Sequence, residues 1–126
     1  MGKLIDFLTL PDVSEIVEDI YVSERLGTFK VKPMTQIQFD NLQKRCTDNK
    51  TQKFDGNKFN VNMIINQVIE PNFSDAKFLE KAGVVAPSDF IYKKILPGEI
   101  AEISAKLMQL SGFDTEMNEE IEEAKN

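Results

Sequence analysis

The sequence predicts an α+β domain, mostly α, in which an N-terminal β-hairpin is followed by about five or six short helices packed as one unit over residues 1–126. Three observations carry this. Apolar residues alternate at Ile20 and Val22 and again at Phe29 and Val31, on either side of a glycine. Downstream, apolar residues recur every three to four positions in stretches punctuated by Pro71, Pro87 and Pro97. The chain of 126 residues is 41% hydrophobic with nine phenylalanines, which suffices for one real core.

Taken in order, "KLIDFLTL" predicts a short amphipathic helix with Leu4, Ile5 and Leu8 on one side, ended by Pro11. "EIVEDIYVSERLGTFKVKPM" predicts strands near 16–24 and 28–33 around a turn at "ERLGT". Thr28, Lys30 and Lys32 then line the solvent face, and Pro33, which has no N–H to donate, closes the second strand. Thr35 with Gln38 three positions later forms a capping box, so a helix starts there with Phe39, Leu42 and Cys46 on one face. "TDNKTQKFDGN" reads as a polar loop.

Asp55 is placed to cap the next helix, in which Phe59, Met63, Ile64 and Val68 face one way. Its run "VNMIINQVI" is apolar on most sides, which predicts a central, well-covered helix stopped by Pro71. Ser74 is expected to cap a short helix through Phe78 and Leu79 to Gly83, and Pro87 to open another carrying Phe90, Ile91 and Ile95. In "KKILPGEIAEISAKLMQLSG", Pro97 and Glu99 sit in the first turn. Ile100, Ile103, Leu107 and Leu110 form the stripe, and Gly112 ends it. Asp114 then caps an acidic segment, 114–126, whose apolar edge is Phe113, Met117 and Ile121. That segment is read either as a fraying terminus or as an acidic helix that docks on a partner.

Several chemistries lack their residues. The chain contains no histidine, which removes Ser-His and Cys-His dyads and most zinc sites. Cys46 is the one cysteine, so no internal disulfide or multi-cysteine site forms, and it is read as a small buried hydrophobe in preference to a reactive thiol. "LPGEIAEI" has too few glycines for a phosphate loop, and no EF-hand pattern occurs. No catalytic, cofactor or metal residue is therefore assigned. The lone cysteine and the lack of a leader point to a reducing cytoplasm. No apolar run approaches the ~20 residues of a membrane span.

The net charge of −6 is unevenly spread. Residues 1–24 hold one Lys and six Asp/Glu. Residues 25–58 hold eight Lys/Arg and three Asp, and residues 59–126 hold six Lys and twelve Asp/Glu. The basic middle suits acidic segments of the same chain, of a second copy or of a partner. Residues 75–95 make a loose helix-turn-helix pattern, which leaves open a small acidic regulator that binds nucleic acid or a transcription factor. A base reader places Arg, Lys, Asn or Gln on the second helix and phosphate contacts around it, whereas here that helix starts Ser88-Asp89-Phe90 and its flanks are acidic.

The order of "EDIYVSERLGTFKVKPMT", "KRCT", "FDGNKFNVNMIINQVIEPNFSDAKFLEKAGV", "KKILPGEIAEISAKLMQLSGFD" and "EEIEEAKN" resembles the XkdN-like tail assembly chaperones of long-tailed bacteriophages and prophage elements. The similarity covers residues 4–126, with a shorter hairpin turn, "RLGT", than relatives have. The resemblance implies a non-enzymatic protein of the bacterial host cytoplasm, absent from the mature virion. It implies binding to the tape measure protein before the tail tube protein polymerises around it. It also implies a longer form made by ribosomal slippage, which "AKN" permits if encoded with the heptamer A-AAA-AAC. The partner-contact residues named for this role are Met117, Ile121, Lys30 and Lys32. Self-association is an expected property, whereas binding to nucleic acid or membrane is not.

Overall fold

A computed structural model of the chain describes residues 7–113. The hairpin forms where alternation predicts it. Strand β1, Glu18–Ser23, pairs antiparallel with β2, Gly27–Val31, with Ile20 opposite Phe29 and Tyr21 opposite Thr28. Gly27 has φ +74°, a left-handed conformation that disfavours any side chain, and it lets the chain reverse between the strands. Val22, Phe29 and Val31 point into the core.

Five α-helices follow: α1 Gln36–Arg45, α2 Gly56–Gln67, α3 Ala76–Ala82, α4 Pro87–Lys94 and α5 Pro97–Leu110. The predicted capping box of α1 is present in both directions: Gln38 N–H donates to Thr35 Oγ1 at 3.1 Å, and Thr35 N–H donates to Gln38 Oε1 at 2.9 Å. Asp55 caps α2 by accepting from Lys58 N–H at 3.0 Å. Pro97 is the first residue of α5, which buries Ile103 and Leu107 with Ile100 and Leu110 packed at the margin. Gly112, at φ +95°, ends the run.

Three expectations are corrected. The helix expected to run to Pro71 stops at Gln67, and Val68–Glu70 form a third strand, β3, on the free edge of β2. Lys30 lies opposite Glu70 and Val31 opposite Val68. Val68 and Ile69 are β-branched and Glu70 precedes a proline, so this tripeptide resists the α conformation, and pairing with β2 supplies the competing hydrogen bonds. Ser74 does not cap α3. Its N–H donates to Asn72 Oδ1 at 3.0 Å, and the cap is Asp75, which accepts from Phe78 N–H at 3.0 Å. A carboxylate is favoured over a hydroxyl at the positive end of the helix dipole. The amphipathic N-terminal helix is not seen over the described residues: Phe7–Thr9 form one 3₁₀ turn, and Leu8 is exposed. Leu4, Ile5 and the segment 114–126 lie outside the described residues.

The elements enclose a continuous core. Helix α2 is at its centre, as its apolar run predicts, burying Phe59, Val61, Met63, Ile64 and Gln67. It packs on α5, α4 and α1, while α5 also lies along β1. Phe73 binds the sheet to the short helices: its ring meets Phe29 at 6.0 Å, Phe78 at 5.9 Å and Phe90 at 5.6 Å.

Candidate partner-binding surfaces

The most connected polar group is Glu99, 8% exposed in the first turn of α5. Ser23 Oγ donates to its Oε2 at 2.7 Å and Arg25 Nε to the same atom at 3.2 Å. The Arg25 guanidinium also reaches Oε1, closing a bidentate ion pair. Leu96 N–H donates to Oε1 at 2.9 Å, and Arg25 donates onward to the Lys94 carbonyl at 2.9 Å. The Arg25 hydrogen bond, aided by the Leu96 amide and the Ser23 hydroxyl, outweighs burial and lowers the Glu99 pKa from 4.5 to about 2. A carboxylate so depressed and so fully engaged is no general base near neutrality. Its role is mechanical: it fastens the hairpin turn to the start of α5.

Farther along the same two elements, a groove of about 480 Å³ lies between β1 and α5, bordered by Glu18, Asp19, Ile20, Tyr21, Lys106 and Leu110. Its lining residue Lys106 bonds the Tyr21 carbonyl and pairs with Glu102 at 3.3 Å. Strand β1 is the edge of the sheet, in the order β1-β2-β3. Leading into it, Phe7, Leu10, Val13 and Val17 are exposed, and Tyr21 continues the strip on the strand itself. An apolar strip beside a sheet edge is the kind of surface another chain covers. The sequence reading placed Leu4, Ile5 and Leu8 on one side of a short helix and assigned no role to Phe7, Leu10, Val13 or Val17. The signal available was "LPDVSEIVED", where apolar residues follow neither period cleanly.

Lys30 and Lys32 are half-buried on the hairpin, flanked by β3, and Thr28 is exposed. Lys32 N–H donates to the Gln67 carbonyl at 3.0 Å, so its backbone belongs to the sheet. Met117 and Ile121 lie outside the described residues. Cys46 is buried at the end of α1, and burial pushes its thiol pKa up, which favours the inert protonated form.

The helix pair at 75–95 is locked by aromatic packing, with the Phe78 and Phe90 rings 4.8 Å apart. Asp89 in the first turn of α4 accepts from Ala86 N–H at 3.3 Å. Among the described residues, no group of three or more His, Cys, Asp or Glu is placed to hold a metal ion. Among them, too, no helix is long and apolar enough to cross a membrane.

Residues 4–125 match the family model of the phage XkdN-like tail assembly chaperone proteins. The chain belongs to this family. It is 31% identical over 107 residues to the phage-like element PBSX protein XkdN of Bacillus subtilis (strain 168), covering 78% of this chain and 72% of that protein. The crystal structure of the protein YqbN superposes with a TM-score of 0.66 at 20% identity, over 90% of this chaperone and 100% of that chain. This last likeness is one of fold. The α+β architecture, mostly helical with an early hairpin, is thus shared with a solved structure, and the class of function is that of phage tail assembly chaperones.

Proposed function

We propose that this chaperone acts without catalysis, binding the phage tape measure protein in the host cytoplasm while the tail is built and leaving before the virion matures. Family membership over residues 4–125 carries the reading. The surface supports it: an exposed apolar strip beside a sheet edge, next to an open groove, offers contact area to a long helical client. Lys30, Lys32, Met117 and Ile121 contribute to the contact, and the tail tube protein is a later neighbour in the assembly. A longer product of slippage at "AKN" shares these residues and binds the same client. Its gene sequence tests that part directly, since codons unable to form the heptamer remove it.

The alternative of nucleic-acid readout through 75–95 has less support. Phe90 packs inward against Phe73 and Phe78, and the carboxylate of Asp89 occupies the turn that a recognition helix would aim at bases and phosphates. Titrating the full chain against overlapping tape measure fragments tests the proposal, with duplex DNA at the same salt as comparison. Saturable binding to at least one fragment is expected. No fragment binding, or binding to DNA alone, would overturn it.

A further inference from the structure

Residues 44–58 form a basic face from three pieces of chain. Lys44 and Arg45 end α1, Lys50 and Lys53 sit in the following loop, and Lys58 lies in the first turn of α2; all five are exposed. The loop is ordered by a bridge between Thr47 and Phe54, by Asp48 N–H donating to the Lys53 carbonyl at 2.8 Å, and by Asp55 N–H donating to the Cys46 carbonyl at 2.8 Å. The two acids in this stretch are committed elsewhere. Asp48 accepts from the amides of Lys50 at 2.7 Å and Thr51 at 3.1 Å, which hold its carboxyl below the usual range, and Asp55 caps α2. Arg45 donates to a neutral partner, Asn62 Oδ1, at 3.3 Å. Among the described residues the ion pairs are Arg25 with Glu99 and Lys106 with Glu102, so none of the five cations is paired.

The chain beyond the described residues begins beside this face. The Phe113 ring meets that of Phe39 of α1 at 5.0 Å, Phe39 meets Phe59 of α2 edge-on at 5.9 Å, and Phe59 meets Phe54 at 5.5 Å. Phe54 is half-exposed at the far end of the basic loop. Three ring-to-ring steps therefore lead from the exit of the chain to the lysines. The segment 114–126 outreaches that path at ~3.3 Å per residue extended or ~1.5 Å per residue helical. It holds six Asp/Glu and one Lys, with Met117 and Ile121 four positions apart.

We propose that the acidic segment 114–126 docks on the basic face of residues 44–58 of its own chain. Opposite charge selects the face, and tethering at Phe113 gives the chain's own segment an effective concentration of millimolar order over that of a second copy. The docked segment is a built-in competitor for any acidic helix that binds there, whatever the client is. A nitroxide at Met117→Cys on the full chain tests this, since buried Cys46 is protected from labelling. In about 20 mM salt the amide signals of residues 44–58 should lose intensity, and about 0.5 M salt should restore them by screening. The exposed double variant Lys50→Glu/Lys53→Glu should restore them too, its own spectrum reporting that it folds. Broadening confined to residues around Phe113 and Phe39, or insensitive to salt and to charge reversal, overturns the proposal. Broadening that appears instead between labelled, unenriched chain and unlabelled, isotope-enriched chain overturns it in favour of a second copy.

Discussion

Replacing Gln67 with Met removes two hydrogen bonds while nearly conserving volume, at a side chain only 1% exposed. Gln67 Nε2 donates to the Lys32 carbonyl at 3.1 Å and to the Pro33 carbonyl at 2.9 Å, while its own carbonyl accepts from Lys32 N–H at 3.0 Å. It is the last residue of α2, so backbone and side chain together clamp the link between β2 and α1 to the start of β3. Pro33 is buried, and its carbonyl, left without this donor, costs about 1–3 kcal/mol; the half-buried Lys32 carbonyl regains water and costs about 0.5–1.5 kcal/mol. The greater apolarity of Met offsets part of this, leaving a loss of about 2 kcal/mol. Urea denaturation measures it as a lowered midpoint at unchanged slope. Gln109→Met, at an exposed position, serves as control and should stay within about 0.5 kcal/mol of the parent. If Gln67→Met is as mild as that control, the clamp is not what stabilises this junction.

Three further outcomes are expected. Glu99 titrates at about 2 when folded against 4.5 ordinarily, so its contribution is fully present above pH 4.5 and is lost as pH falls toward 2. Acid denaturation of Glu99→Gln should therefore show a shallower pH dependence across that window, and an unchanged slope would mean that Arg25 does not hold the carboxylate. Phe73→Ala should cost about 3–5 kcal/mol by denaturant melt, since the ring joins the sheet to α3 and α4. Gly83→Ala should destabilise by about 1–2 kcal/mol through its φ of +73° alone, no atom lying within 4 Å of the added Cβ. Gly98→Ala, also in open space but with no positive φ, should instead be neutral or stabilising by up to about 1 kcal/mol, so a common sign for the two would contradict the backbone reasoning.

Local chemistry was legible in the sequence, and distant chemistry was not. Thr35 with Gln38, Asp55 and Pro97 mark helix starts because each acts within three or four residues of itself. The stripes of α2 and α5 are legible because one face of each helix is buried. The end of α2 differs from the prediction because Val68 and Ile69 continue the apolar helical pattern, and only the free edge of β2, some 37 to 40 positions away, decides for a strand. Arg25 and Glu99 are separated by 74 positions, and nothing near either residue announces the other. Glu99 read as a helix-start acid, which it is, bonding Leu96 N–H, but that local role hid its partner across the fold. The strip from Phe7 to Tyr21 is legible as surface only once the fold is in place, because no local signal marks those apolar residues as exposed.

Because this chaperone is held to work by covering another chain, the most direct measurement is the soluble yield of the tape measure protein expressed in bacteria with and without it. A soluble tape measure protein that co-elutes with the chaperone, and aggregates when expressed alone, is the expected result. A tape measure protein equally soluble in its absence, or insoluble in the presence of both the short chain and any longer product, contradicts the proposed role.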